Sequence, residues 1–427
     1  MRKLLMSLLV AAFLPIYLLA ALLPARRTKL VWGTTPIISN KYWSEAMKAG
    51  GHDSVTLMEG WFKAVNSRSD FDLYFEDLPP AFLPHKARMA FGICLALLYA
   101  LRRAKVVHIP FYGFALTGTW LWRIEAPLFR LAGVKVIVLP FGGDFYRYSK
   151  LIDTSLRYGL LASYPQLQRQ EAIIDARVAY WSRRADAVVA GFQVDGLGRW
   201  DVTLPQMFTI DTARWVANQA YSPHDGRSGP VKVMHTPNHR GFKGTEFLVN
   251  AVETLRSEGL QVELVLLEGV PNEEVRRLMG EVDILGEQFL FTGYALSGIE
   301  GMASGLPVMA NLEHEAYTKV FRRYGFLDEC PVLSTSPETL AEHLRLLVTR
   351  PDLREALGRA GAHYVEKYHS AEAARFLFGA IYDRLDGAQV DLINLYHPLK
   401  SAHWKAQPKV EHPLVRNLYP AAAAPPC

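Results

Sequence analysis

From Lys29 onward the chain alternates short apolar runs of strand length with segments of helix length, and it does so twice. This rhythm constrains the fold more than any other feature, because strands joined by crossover helices build parallel sheets. In the first half the strand-length runs are 29–32, 56–59, 106–110, 134–139 and 187–190, with helical patterns over 40–49, 87–103, 114–131 (interrupted by Pro127) and 166–184. The second half restarts with runs at 231–235, 262–267, 282–285 and 307–310, and helical patterns at 245–258, 272–279 and 297–304. Three closing helices, 337–348, 352–367 and 371–385, carry apolar residues at helical spacing. Residues 222–230, SPHDGRSGP, have linker chemistry. The expected fold is α/β, two Rossmann-like lobes facing a cleft, with domains at 28–225 and 226–386. Residues 387–427 turn polar and then Ala/Pro-rich, which predicts a disordered tail.

A hydrophobic helix precedes the first lobe. Residues 4–25 are uncharged and mostly apolar, between Arg2 and Lys3 on one side and Arg26, Arg27 and Lys29 on the other. As a helix this run would reach about 33 Å, enough to cross a hydrocarbon core of about 30 Å. A retained signal-anchor over 1–27 fits its length. A cleaved signal peptide fits less well, because the run exceeds an ordinary h-region and lacks an A-x-A site ahead of Arg26. Interfacial or kinked insertion is the third reading, prompted by Pro15. Basic residues at both ends leave orientation undecided.

Composition narrows function by exclusion. Lys and Arg exceed Asp and Glu by 47 to 42 without any basic run, which points away from nucleic acid and toward anionic lipid or a phosphorylated substrate. Cys94, Cys330 and Cys427 stand far apart, so neither a zinc knuckle nor a disulfide framework is indicated.

Three segments in the second half form an ordered set: PNHRGFKGTEFLVNAV (237–252), VELVLLEGVPNEEV (262–275) and IEGMASGLPVMA (299–310). Together they resemble the nucleotide-sugar domain of the group 1, or family 4, glycosyltransferases of GT-B architecture. Residues 337–370 resemble that family's closing helices. The chemistry agrees with the resemblance. A nucleotide sugar departs as a diphosphate, so a transferase needs cations and oriented N–H groups there. Lys243, followed by Gly244 and a helix from Thr245, supplies both, and the resemblance assigns it the donor pyrophosphate. The family's Arg five residues earlier is Asn238 here, leaving Arg240 or His239 to serve. A carboxylate is a natural acceptor for a diol, and the resemblance gives Glu300 the ribose hydroxyls. The family's other Glu is Thr292, so Gly293, Tyr294 and Ala295 would present backbone groups to the sugar.

In the first lobe the loop GTTPIIS, beginning at Gly33, would approach the donor phosphates and the acceptor; it is not G-x-G-x-x-G. PFGGDFYRYSK (140–150) stands where many members read H-G-x-D; Asp144 matches and the His position is Phe141. Asp144, Lys243 and Arg240 are the catalytic candidates; without that His no general base is assigned, and the resemblance implies that none is needed, since in a retaining transferase of this family the leaving phosphate can take the acceptor's proton. Asp70 and Asp72 spell D-x-D in the wrong lobe for a metal, and Glu313 and Glu315 flank His314 after the last core strand. The expectation is a membrane-anchored glycosyltransferase with cytoplasmic catalytic lobes. It would use a nucleotide-sugar donor, a lipid-linked or envelope glycan acceptor and no metal or other cofactor. Its rivals are a nucleotide-sugar epimerase of the same fold and an inactive glycan-binding or scaffold protein.

Overall fold

The computed structural model describes residues 1–62, 66–192, 195–218 and 220–420. The chain forms two compact units, each assembled from separated stretches: Met1–Arg147, Arg169–Val202 and Ala374–Leu392 in the first, and Tyr148–Gln168, Thr203–Ala373 and Ile393–Cys427 in the second.

The first unit is built on strands β1 (Lys29–Trp32), β2 (Ser54–Met58), β3 (Leu73–Tyr74), β4 (Ala104–Ile109), β5 (Lys135–Val138), β6 (Ala187–Ala190) and β7 (Val202–Thr203), in the order β3-β2-β1-β4-β5-β6-β7. The pairs from β3 through β6 are parallel. Strands β2 and β6 are buried along their whole length, which a sheet covered on both faces requires. The order reverses between β1 and β4, where a doubly wound sheet leaves a crevice at its carboxyl ends.

The helix Ala371–Leu385 returns to this unit and closes one face. Trp32 stacks on His108 at 3.5 Å, Phe378 meets Trp32 edge-on at 4.8 Å, and the Tyr382 hydroxyl donates to His108 Nε2 at 2.9 Å. Burial pushes the His108 pKa down to about 3, so the ring is a neutral tie rather than a base.

The N-terminal apolar helix, Arg2–Leu22, belongs to the same unit. It is long and apolar enough to cross a membrane. Yet Ser7, Val10, Tyr17, Ala20 and Ala21 are buried. The Tyr17 hydroxyl donates to Cys94 O at 3.3 Å, Ser7 Oγ accepts from Trp120 N at 3.0 Å, and Arg27 Nε donates to Leu101 O at 2.7 Å. The helical pattern expected over 114–131 is not one helix. It breaks into turns at Leu116–Gly118 and Trp122–Ile124 before a helix at Glu125–Ala132. The cause is the buried Glu125 carboxylate, which accepts from the backbone N–H groups of Phe114, Ala115 and Leu116 at 2.9, 2.7 and 2.6 Å.

The second unit has β8 (Val231–His235), β9 (Val262–Leu266), β10 (Ile284–Gln288), β11 (Val308–Ala310) and β12 (Leu333–Ser334), in the order β12-β11-β10-β8-β9, all parallel. Its core packs Val231, Val233, Leu248, Val252, Ile284 and Met309 against the helices Leu340–Thr349 and Pro351–His369. The stretch read as a linker is clamped. Arg354, 1% exposed, donates to Ser222 O and His224 O at 2.9 and 2.6 Å.

The tail expected to be disordered is built into this unit from Ile393 as far as Pro420. Asn417 Nδ2 donates to Cys330 O and Val332 O, Ser334 N donates to Asn417 O at 2.9 Å, and Leu414 is buried. Composition concealed this because a few apolar residues and one amide do the anchoring. Residues 421–427 lie outside the described residues.

Candidate functional site

In the second unit β8 and β10 are neighbours although the chain visits β9 between them, so the strand order reverses at their carboxyl ends. Ligands of open α/β sheets bind at such a point. The residues there are His235, last in β8, and Glu287 and Gln288, last in β10. His235 donates from Nδ1 to Gly286 O at 2.7 Å and accepts the Thr245 hydroxyl at Nε2, 2.8 Å away. Burial holds its pKa down at about 4, so it pins the start of the helix Thr245–Ser257 as a neutral ring.

The loop after β8 rises to a short turn at Arg240–Lys243. Lys243 is 6% exposed. Its Nζ forms an ion pair with Glu287 and donates to Gln288 Oε1 at 2.8 Å. Glu287 also accepts the Ser297 hydroxyl at 3.0 Å, and Gln288 Nε2 donates to Gly293 O at 2.7 Å. Both strand-end side chains are therefore committed to fixing the two loops that border the switch point. Arg240 lies on the outside of the same turn, half-exposed, paired with Glu246 at 2.7 Å and Glu268 at 3.1 Å. Asn238 and His239 are exposed, and the His239 ring rests 4.3 Å from Tyr164.

Glu300 occupies the helix Leu296–Ala303, which follows β10. Gly301 lets that helix sit against the strand, since a Cβ there would come within 2.3 Å of Leu285 Cδ2. Glu300 is 4% exposed, and the hydrogen bond described for its carboxyl is a long one from Asn272 Nδ2, at 3.3 Å. Burial, only partly offset by that bond, pushes its pKa up to about 8. Near neutral pH the group is therefore mainly the uncharged acid.

The three residues expected to offer backbone groups are engaged internally. Gly293 donates to Asn311 O at 2.8 Å and its carbonyl receives Gln288. The Tyr294 carbonyl accepts from Gln206 at 3.0 Å, and its hydroxyl meets those of Tyr364 at 2.7 Å and the His369 ring at 3.2 Å. Ala295 N reaches Glu287 Oε2 at 3.4 Å. Beside them the buried Thr292 hydroxyl has no hydrogen-bond partner among the described residues.

Gly33 and Asp144 belong to the first unit, and the other candidates to the second. Gly33 leaves β1 where a Cβ would lie 2.2 Å from Leu57 O, so only glycine permits the close backbone crossing. Asp144 is fully buried at the carboxyl ends of β4 and β5. Its carboxylate accepts from Phe111 N at 2.8 Å, Phe141 N at 3.0 Å and Gly142 N at 3.1 Å. Desolvation outweighs those bonds and raises its pKa to about 6. It ties two strand-end loops together. Asp70 and Asp72 are ion-paired with Lys41 and Lys48 at 2.8 and 2.7 Å. Glu313 and Glu315 are a loop residue and the first residue of the helix Glu315–Tyr324.

Sequence reasoning missed Glu287, Gln288, His235, Asn272 and Glu125. The Glu-Gln pair closing an apolar run was the available signal for the first two, because polar residues at a strand's carboxyl end face the ligand side of a parallel sheet.

No protein-family model matches the chain, and no curated protein does. Solved structures do. A sucrose-phosphate synthase from Thermosynechococcus elongatus aligns at TM-score 0.56 and 14% identity, over 85% of this chain and 100% of that one. The fold is GT-B. Also similar are an α,α-trehalose 6-phosphate synthase from Burkholderia multivorans (TM-score 0.47, 13% identity, 86% and 98% covered) and WaaG, a glycosyltransferase involved in lipopolysaccharide biosynthesis (0.43, 14%, 84% and 100%). The likeness at these identities concerns the two Rossmann-type units and not the site residues.

Proposed function

We propose that the chain is a glycosyltransferase of the group 1, family 4 kind. It moves a sugar, with retention, from a nucleotide diphosphate donor to a lipid-linked or cell-envelope glycan at the cytoplasmic face of a membrane. The observation that carries this reading is Glu300, a buried carboxyl on the helix that follows β10, whose described hydrogen bond is a single weak one. A ribose diol donates two hydrogen bonds and supplies the polar contacts such a group lacks. The GT-B fold, shared with a sugar-phosphate synthase, supports the same reaction class.

On this reading Arg240, whose guanidinium reaches solvent, meets the diphosphate, together with N–H groups of the loop that carries Asn238 and His239. Lys243 positions that loop through Glu287 and Gln288. Asp144 positions the loops beyond β4 and β5 in the acceptor-side unit, where Gly33 keeps the backbone close. The bond from the anomeric carbon to the leaving phosphate breaks as the acceptor oxygen bonds to that carbon, and the phosphate oxygen takes the acceptor's proton. No metal is invoked; Arg240 and the oriented N–H groups of the loop oppose the charge developing on the diphosphate.

One observation favours a second reading, nucleotide-sugar binding without transfer: Glu287 already offsets the charge of Lys243. Incubating the full-length protein with a panel of nucleotide sugars and membrane-extracted acceptors separates the readings. Transfer, reduced at least tenfold by Glu300→Gln, supports the proposal. Binding without turnover supports the second reading, and an isomerised sugar nucleotide would establish the epimerase instead.

A further inference from the structure

The Arg2–Leu22 helix is apolar on every side, and unit 1 covers only one stripe of it. Leu5, Leu8, Leu19 and Leu22 are 58%, 58%, 58% and 66% exposed. Exposed Trp120, whose N–H bonds to Ser7, and Phe91, beside Phe13, extend the bare surface onto neighbouring elements. A soluble surface helix would carry polar residues there. A contiguous apolar face of this kind marks a partner or a membrane.

From Phe13 to its end the helix runs beside His85–Arg103. Phe13 lies 6.3 Å from Phe91, Tyr17 bonds to Cys94, and Arg102 donates to Leu23 O at 3.2 Å just past the helix end. Ser7 secures the opposite end through Trp120 N. A helix tied at both ends to a folded unit cannot stand across a bilayer without drawing that unit into the hydrocarbon with it. The ionisable groups on the helix and just past its end are cations, Arg2, Lys3 and Arg26, with Arg130 exposed on Glu125–Ala132, while the acids that meet His85–Arg103, Glu76 and Asp77, are already paired with Arg68 and Arg88. Neither the helix nor His85–Arg103 contains an acid, and the one acid of Glu125–Ala132 is buried. A second copy would oppose cations with cations, whereas an anionic headgroup layer complements them.

We propose that the Arg2–Leu22 helix lies in the plane of an anionic phospholipid surface as a fixed part of unit 1. Its leucines enter the acyl boundary and Arg2, Lys3, Arg26 and Arg130 sit among the headgroups. This rests on the membrane location in the functional reading and replaces a spanning anchor with an embedded edge of the domain.

The test uses full-length protein with single cysteines at Arg2→Cys or Ala25→Cys, in a Cys427→Ser background, since Cys94 and Cys330 are buried. Added to sealed vesicles of phosphatidylcholine with phosphatidylglycerol, the protein should bind. An impermeant maleimide outside should label both positions before the vesicles are opened, and alkaline carbonate should strip the protein. Vesicles of phosphatidylcholine alone should bind it more weakly. Arg2→Gln and Lys3→Gln should each weaken binding about fivefold. Leu8→Gln with Leu19→Gln, both at exposed positions, should abolish binding and leave the folded signal unchanged. Carbonate-resistant protein labelled at one position only would show a span and overturn the in-plane reading while keeping the membrane. Failure to bind any vesicle, with a soluble dimer dispersed by the leucine variants, would overturn both.

Discussion

Lys243, with its ammonium between Glu287 and Gln288, shows why deleting a charge at the residue scale is not a simple test of catalysis. Lys243→Met leaves Glu287 buried and uncompensated, which should cost about 3–5 kcal/mol of stability. Replacing Glu287 by Met as well should recover most of that loss, because the desolvated pair disappears together. Urea unfolding of the two single variants and the double would measure the coupling, and strict additivity would mean the pair is not coupled. Only activity lost in the double variant too then speaks for a direct catalytic part of Lys243. Glu300 behaves differently, because its folded pKa of about 8 lies above the ordinary 4.5. A raised acid makes the native state bind more protons than the unfolded one. Its contribution is therefore fully present below about pH 4.5 and is lost as pH rises to about 8. Glu300→Gln should flatten that part of the stability–pH curve; a slope unchanged across the window would remove the assignment.

At the scale of elements, Asp144 joins the loops that follow β4 and β5 through three N–H groups. Asp144→Ala leaves those buried donors without an acceptor and should cost at least about 3 kcal/mol, with Asn intermediate because its single carbonyl can still accept. Thermal unfolding checks this, and a variant within about 0.5 kcal/mol of the parent would show that the loops are held by packing alone. Elements with a strong apolar signature were legible from sequence: β1, β6 and β8 run over 29–32, 187–190 and 231–235 as expected. Strands β3, β7 and β12 were not, because two residues carry no period. The reading of β10 stopped at Leu285, since Gly286, Glu287 and Gln288 break the apolar run. Those residues are the site end of the strand. The same conflict hid Glu125, whose hold on three backbone N–H groups turned an apparently helical stretch into turns. Lys243 and Glu300 stood out in the sequence because they lie in a motif, whereas their partners Glu287, Gln288 and Asn272, which only the fold brings to them, did not.

At the scale of the molecule, each unit is completed by chain that belongs elsewhere in sequence, and the segment after residue 392 illustrates the cost of losing it. Asn417 satisfies the carbonyls of Cys330 and Val332, and Tyr396 and Trp404 pack on Phe326 and Tyr368. A chain ending at residue 392 should therefore unfold at a temperature lower by roughly 6–12 °C, as follows from about 3 kcal/mol lost in a unit of this size. An unchanged melting curve would mean this segment is a passive cover. The central claim is that Glu300 holds the diol of a nucleotide, and titration calorimetry of the full-length protein with a panel of nucleoside diphosphates tests it most directly. Near pH 7, in two buffers of different ionisation enthalpy, one nucleotide should bind with release of close to one proton, as the acid held near 8 becomes a carboxylate receiving two hydroxyls. Glu300→Gln should bind it about tenfold or more weakly and release none. Equal affinity and equal proton release in the parent and the Gln variant, or no binding of any nucleotide by the parent, would contradict the claim.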